Sequence, residues 1–283
     1  MKRLLTIQDI SCFGKCSLTA ALPVISAMGV ETIVLPTAVL STHTGSGFSG
    51  FTFRDLTDDI EGITAHWKRL GLTFNTIYTG YLGSLEQVSI IRKLIADFRT
   101  EDTLVVVDPV MGDGGRMYSG FDSKFVTAMK SLCADADVIL PNATEAALLL
   151  GQNYRNDLTA DEIQSMLMRL TALGCGTAIM TGASTDKAHN GAMAYVARTG
   201  EFVTASCENI SGSFHSTGDI FSSVLSGGMT LGMDMQTALD LAAEFTHDCI
   251  KATLPIREEH WYAVRFEPCL GMLAERCRKY IDV

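Results

Sequence analysis

Short apolar runs alternate with longer amphipathic stretches along most of the chain. Four or five consecutive apolar residues mark a buried strand, and apolar residues spaced three and four apart mark a helix. Leu4–Gln8, Ile33–Pro36, Thr76–Thr79, Leu104–Val107, Val138–Leu140 and Thr177–Met180 read as strands. Between them the spacing predicts helices through Met28 (bent at Pro23), and over Arg54–Leu70, Gln87–Phe98, Lys124–Cys133, Glu145–Leu150 and Asp161–Leu173. Then the rhythm changes. Ala192–Val196 and Phe202–Ala205 flank Arg198–Glu201, the pattern of a β-hairpin. Three helices remain: one after Asp219, one over Met235–Ala252 and an amphipathic one ending at Tyr280. This order predicts a three-layer α/β/α sandwich with a mostly parallel central sheet and an antiparallel hairpin near its C-terminal part. No linker, repeat or low-complexity run interrupts it, so residues 1–283 read as a single domain.

Open sheets of this kind bind ligands outside the carboxyl ends of their strands. The segments expected there are Asp9–Ser17, Ser41–Gly50, Gly80–Ser84, Asp108–Gly115, Pro141–Glu145 and Thr181–Gly182. They are the polar, glycine-rich loops of the sequence. A later stretch, Gly212–Gly227, is turn-prone up to Asp219 and then apolar at Ile220, Phe221, Val224 and Leu225. Thr217, Gly218 and Asp219 therefore sit where a loop becomes a helix. Free N–H groups and the helix dipole favour an anion there. A carboxylate in that position either caps the helix or acts on something bound beside the anion. Asp108 ends a central strand close to Asp113, and Asn142-x-x-Glu145 opens a helix just past another strand. Carboxylates at strand ends beside an anion-binding helix suit Mg²⁺ and a polyphosphate. The plainer readings are a turn cap before Pro109 for Asp108 and a dipole-matching acid for Glu145.

Composition narrows the partners. A net charge of −10 and a pI near 5.0 argue against nucleic acid and anionic membrane surfaces. No apolar run has transmembrane length, and Met-Lys-Arg leads directly into a strand rather than a signal peptide. The expectation is a cytoplasmic protein whose eight cysteines are reduced thiols. Cys12 and Cys16 lack a second pair with zinc spacing. Gly45–Gly50 spells GxGxxG, yet it lies late in a long loop with no helix opening at it and no acid about 20 residues on. Gly14-Lys15 lacks the earlier glycine of a phosphate loop, and Cys16 follows the lysine. Asn142 and Asn209 head glycosylation sequons by spelling only.

With these residues in view, the chain resembles the ribokinase superfamily, and within it the pyridoxal (pyridoxine, pyridoxamine) kinases. The resemblance runs over nearly the whole chain through Ile7-Gln8, Phe13-Gly14, Ser41–Thr44, Gly80–Ser84, Asp108–Gly112, Met117-Tyr118, Asn142-x-x-Glu145 and Thr217-Gly-Asp219. Asp-Pro-Val-Met also fits the related hydroxymethylpyrimidine kinases. Those usually carry cysteine at the position of Asp219, which favours the vitamin B6 reading.

The resemblance implies ATP- and Mg²⁺-dependent phosphorylation of a B6 vitamer. Asp219 would be the general base on the 5′-hydroxymethyl, and the backbone of Thr217 and Gly218 would hold the moving phosphoryl. Asp108, Asn142 and Glu145 would organise Mg²⁺ and the nucleotide phosphates, with Asp113 beside Asp108 at the metal. Thr181 and Gly182 would line the nucleotide, with Tyr118 in a flap spanning 114–118. Asp9, Thr44, Gly45 and Tyr81 would border the vitamin ring. A homodimer is expected. Hydroxymethylpyrimidine kinase activity, a non-catalytic pyridoxal phosphate carrier and a sugar or nucleoside kinase are the rival readings. Three positions depart from the family pattern: Ser216 replaces a common glycine, Asp9 replaces a serine, and Leu140 replaces a threonine near a bound monovalent cation. Ser216 either bends the loop differently or sits at negative φ, and the need for K⁺ or Na⁺ stays open.

Overall fold

The structure is a computed structural model, and it describes residues 1–45, 47–183 and 188–281. Its first strand, β1 (Arg3–Phe13), is followed by α1 (Leu18–Ala27), β2 (Glu31–Thr42) and a short edge strand, β3 (Phe53–Asp55). Next come α2 (Thr57–Arg69), β4 (Thr76–Thr79), α3 (Leu85–Phe98) and β5 (Leu104–Val107). A small hairpin, β6 (Gly112–Asp113) and β7 (Arg116–Met117), precedes α4 (Ser123–Ala134) and β8 (Val138–Ile139). Then α5 (Ala143–Leu150), α6 (Ala160–Thr171) and β9 (Thr177–Thr181) lead to the hairpin β10 (His189–Val196) and β11 (Glu201–Glu208). The chain finishes with α7 (Thr217–Thr230), α8 (Met235–Thr253) and α9 (Leu270–Cys277).

Among the described residues the main sheet has nine strands in the order β11-β10-β9-β8-β5-β4-β1-β2-β3. The six central strands β9, β8, β5, β4, β1 and β2 run parallel, while β10, β11 and β3 are antiparallel. Strand periodicity divides the core in two. Leu4, Tyr78, Val106, Val138 and Ile179 pack with α1, α7, α8 and α9 on one face. Leu5, Ile7, Ile77, Val105, Val107 and Ile139 pack with the other helices on the opposite face. A strand buried on both sides must be apolar at every position, which is why these runs do not alternate with polar residues.

Several boundaries differ from the sequence reading. Asp9–Ser17 is not all loop: β1 continues to Phe13 through a register break between Gln8 and Ile10. Ser41 and Thr42 likewise belong to β2, and Arg54 lies in β3 rather than opening a helix. Both strands grow because Ile10–Phe13 finds partners in Val39–Thr42, and Val39 in turn finds Arg54. Pairing supplied by a distant segment is invisible to local periodicity. The hairpin turn falls at 197–200, and Glu201 begins β11.

Leu225 is fully buried on α7, the helix that carries Asp219. Leu225→Ala is expected to lower the free energy of unfolding by about 2–5 kcal/mol in a denaturant melt.

Candidate active site

The helix α7 begins at Thr217, its N-cap is Ser216, and Ser216 makes no side-chain cap bond. Asp219 is the third helical residue, so it does not cap the helix. Its first-turn N–H groups are left without a side-chain acceptor. The Ser216 hydroxyl donates to Lys15 O (2.7 Å) and lies 3.3 Å from Asp219 Oδ2. Ser216 adopts φ +70°, so the negative-φ alternative does not hold. Lys15 (φ +52°) and Ser17 (φ +54°) are also left-handed, and with Ser216 they make up the non-glycine residues in that region among the described residues. Ser17 and Ser216 bond to Asp219, and Lys15 O accepts from Ser216. Left-handed backbone costs a non-glycine residue about 1–2 kcal/mol, and such outliers collect at working sites. Ser17 is also the N-cap of α1 and makes no side-chain cap bond. Two helix N-termini thus meet at the Asp219 carboxylate.

Burial, and then the charge of Asp9, push Asp219 up to about 6. Hydrogen bonds from the Ser17 backbone, the Ser216 hydroxyl and the Cys16 thiol pull the other way. Asp108 lies immediately after β5. One turn beyond Asp219 on α7, the Ser222 hydroxyl sits 2.8 Å from Asp108 Oδ2 and 2.5 Å from Gly218 O. Burial, then the charge of Asp219, push Asp108 up to about 7, against the Ser222 bond. Ser222 therefore ties the strand-end carboxylate to the helix that presents Asp219.

Glu145 is 3% exposed and closes a capping box on α5. Its Oε1 accepts from Met111 N (3.0 Å) and its Oε2 from Asn142 N (2.9 Å). Asn142 Oδ1 accepts from Thr144 N and Glu145 N, and Asn142 Nδ2 donates to Gly112 O (2.8 Å). The helix-acid reading of Glu145 is thus geometrically real, and the same carboxylate pins the 108–112 loop to α5. Burial, then the charge of Asp108, push Glu145 up.

Asp9 stands at the register break between β1 and β2, opposite Thr37 and Ala38, an irregularity of the kind found next to sites. It is 5% exposed, and its Oδ2 accepts from the Ser11 hydroxyl (3.0 Å). Burial raises its pKa against bonds from Ser17 and Ser11. Tyr81 is half-buried beside Phe121, and burial followed by the charges of Asp9 and Asp55 raises its phenol. Gly45 N donates to His43 Nδ1, and Thr44 is exposed. Asp113 is exposed on β6, and its Oδ1 accepts from Gly114 N (2.7 Å). The β6–β7 turn uses Gly114 and Gly115, both at positive φ, as a tight hairpin turn requires. Thr144 Oγ1 accepts from Gly115 N and anchors the turn to α5. Tyr118 is half-exposed beyond that hairpin. Burial raises its phenol first, followed by the charges of Glu145, Asp113, Asp108 and Asp219. Thr181 ends β9 and bridges Asn142, and Gly182 follows at φ +65°.

The fold therefore brings Asp9, Asp108, Glu145 and Asp219 to one edge. Among the described residues no ion pair engages any of the four. Nor do three His, Cys, Asp or Glu side chains gather there tightly enough to hold a metal directly. Sequence reasoning missed Cys16, Ser17 and Ser222. Ser222 had a signal, since its three-residue spacing from Asp219 places both on neighbouring helix positions.

A parallel sheet with carboxylates at its strand ends, facing uncapped helix N-termini, is the arrangement expected of a ribokinase-like kinase, and likeness to known proteins shows that class. The chain belongs to the phosphomethylpyrimidine kinase family, whose model matches residues 12–263. It is similar to a candidate phosphomethylpyrimidine kinase of Bacteroides thetaiotaomicron VPI-5482 solved with pyridoxal, with TM-score 0.91 and 38% identity over 96% of this chain and 95% of that one. The Lactobacillus plantarum pyridoxal kinase gives TM-score 0.89 and 32% identity over 97% of each chain. The pyridoxine/pyridoxal/pyridoxamine kinase of Bordetella avium (strain 197N) is 25% identical over 267 residues, 88% of this chain and 84% of that protein. Among the described residues no helix is long and apolar enough to cross a membrane.

Between the ordinary 3.8 and about 7, folded Asp108 holds a proton that the unfolded chain has released. Its contribution therefore falls as pH rises through that window. Asp108→Asn is expected to stabilise the ligand-free protein little near pH 4 and by about 1–3 kcal/mol near pH 8, read from paired melts.

Proposed function

We propose that this protein is a pyridoxal kinase that moves the γ-phosphoryl group of ATP to the 5′-hydroxymethyl of a B6 vitamer. The observation that carries the reading is Asp219: a carboxylate raised to about 6, set in the first turn of an uncapped helix, opposite Asp108 and Asp9. The 38% identity to a protein solved with pyridoxal supports the acceptor.

The vitamer's O–H proton passes to Asp219 as its oxygen forms a bond to the γ-phosphorus. The bond from that phosphorus to the β–γ bridging oxygen breaks, and ADP leaves. An alcohol is a weak nucleophile, and a positioned base is worth about 10²–10⁴ in rate. The N–H groups of residues 217–219 face the negative charge spread over the phosphoryl oxygens. A carboxylate near 6 is ionised at neutral pH yet more basic than an exposed one.

Asp108 and Glu145 suit Mg²⁺ held through its waters, since both are raised by burial and neither has an ion-pair partner among the described residues. The ion would supply charge neutralisation to the nucleotide phosphates. Asp113 and Tyr118 would approach the nucleotide from the β6–β7 hairpin, and Thr181 and Gly182 from the end of β9. Asp9, Thr44, Gly45 and Tyr81 would border the ring. The family match favours a second reading, phosphorylation of a hydroxymethylpyrimidine. A panel of pyridoxal, pyridoxine, pyridoxamine and hydroxymethylpyrimidine, read by direct phosphorylation, decides between them.

Asp219→Asn is expected to lower kcat by about 10² or more while ATP affinity changes little. In the wild type, kcat/KM should fall as pH drops through about 6, where Asp219 gains its proton. Loss of ATP binding in the variant, or a flat profile there, would remove the base role. Asp9→Ser is expected to change the ratios of kcat/KM among the three vitamers, because it removes a carboxylate that can pair with a protonated ring or amine. Unchanged ratios sink that assignment.

A further inference from the structure

His43 has no part in the chemistry above, yet the residue is 6% exposed and both its ring nitrogens are bonded. Gly45 N donates to Nδ1 (2.9 Å), which places the ring proton on Nε2. Nε2 donates to the carbonyl of Tyr262 at 2.7 Å. Phe48 meets the ring edge-on at 4.8 Å, and His215 lies tilted against it at 5.1 Å. A Cβ on Gly14 would come within 2.4 Å of His43 Cδ2. One side chain thus touches the turn after β1, the loop after β2, the loop leading into α7 and the segment after α8. A second contact joins two of these. Gly47, at φ +102°, lies so close to Trp261 that a Cβ there would stand 2.3 Å from Cζ3, and Phe48 packs on the same indole at 4.8 Å.

We propose that His43 is a positioning residue whose neutral ring pins the Thr44–Gly45 loop to the Tyr262 backbone and so sets one wall of the acceptor pocket. The assignment of that wall to the acceptor rests on the function proposed above. Both bonds require one tautomer. An imidazolium has no acceptor for Gly45 N–H, and loss of the ring leaves a part-buried carbonyl without its donor. Burial, with a smaller push from His215, lowers the pKa of His43 against the pull of the Tyr262 carbonyl. The packed segments also carry Lys15, paired with Glu267, Arg257, which lies over the Phe214 ring, and His260, whose Nδ1 lies 2.9 Å from Ala263 O, together with Cys16, Glu258, Glu259, Tyr262, Arg265 and Cys269.

The test uses full-length protein carrying Trp67→Phe, which leaves Trp261 as the one tryptophan. Hydrogen exchange of residues 44, 45 and 47–50 is expected to quicken by about tenfold or more in His43→Ala, with residues 217–230 unchanged. His43→Asn keeps an acceptor for Gly45 N–H and should fall between. The KM for pyridoxal should rise by about tenfold, while kcat and the KM for ATP stay within about threefold. Unchanged exchange at 44, 45 and 47–50, or an equal rise in both KM values, overturns the proposal. Should the wild type fail to phosphorylate pyridoxal, the function reading falls, and exchange with Trp261 emission still decides the tether. If His43→Ala does not fold, His43→Asn in the single-tryptophan protein carries the test: faster exchange at 44, 45 and 47–50 with an altered Trp261 emission is expected, and unaltered exchange with unaltered emission overturns the proposal.

Discussion

Four carboxylates meet where the parallel strands end, and that crowding is the constraint the rest of the structure answers. Asp9, Asp108, Glu145 and Asp219 repel one another in a partly dehydrated crevice, and among the described residues no Lys or Arg offsets them. Such an arrangement survives only because fixed dipoles hold it. Backbone N–H groups serve Glu145, hydroxyls serve Asp9 and Asp108, and the N-termini of α1 and α7 serve Asp219. The stored repulsion favours whatever brings positive charge or protons into the crevice. A metal-bound nucleotide and a transferable hydroxyl proton are both of that kind.

The fold supplies the rigid frame this needs. Central strands buried on both faces leave their carboxyl ends no freedom to drift, so Asp108 and Asn142 keep their spacing. Ser222 then couples α7 to β5, and Glu145 couples α5 to the 108–112 loop. Strain is concentrated in the same place, at Lys15, Ser17 and Ser216. Packing around those turns must outweigh it, which explains why the backbone there is pinned by its own hydrogen bonds, such as Ser216 to Lys15 O. Aromatic rings from the end of β1, the loop after β2 and the segment after α8 close against one another around Phe48 and Trp261.

Much of this was legible in the residues alone. Apolar periodicity located the central strands and most helices, because each buried face must repeat at the period of its own element. The turn-prone run before Ile220 marked the start of α7, and strand-end acids marked the crevice. What lay beyond reach was pairing between distant segments. Nothing near Asp9 announces that β1 runs on past a register break to meet Val39–Thr42, and nothing near Arg54 announces an edge strand.

By itself, then, the chain's order of apolar and polar residues determined the layered sheet, the edge at which the polar loops collect and the acids that stand there. Only the tertiary structure decided that Asp219 is not a cap, that Glu145 spends both oxygens on backbone amides, and that Ser222 and His43 hold other groups in place. The physical reason is range. Periodicity and helix-start signals act over a few residues, whereas these bonds join groups separated by up to 219 positions, and no local pattern encodes a partner that far away.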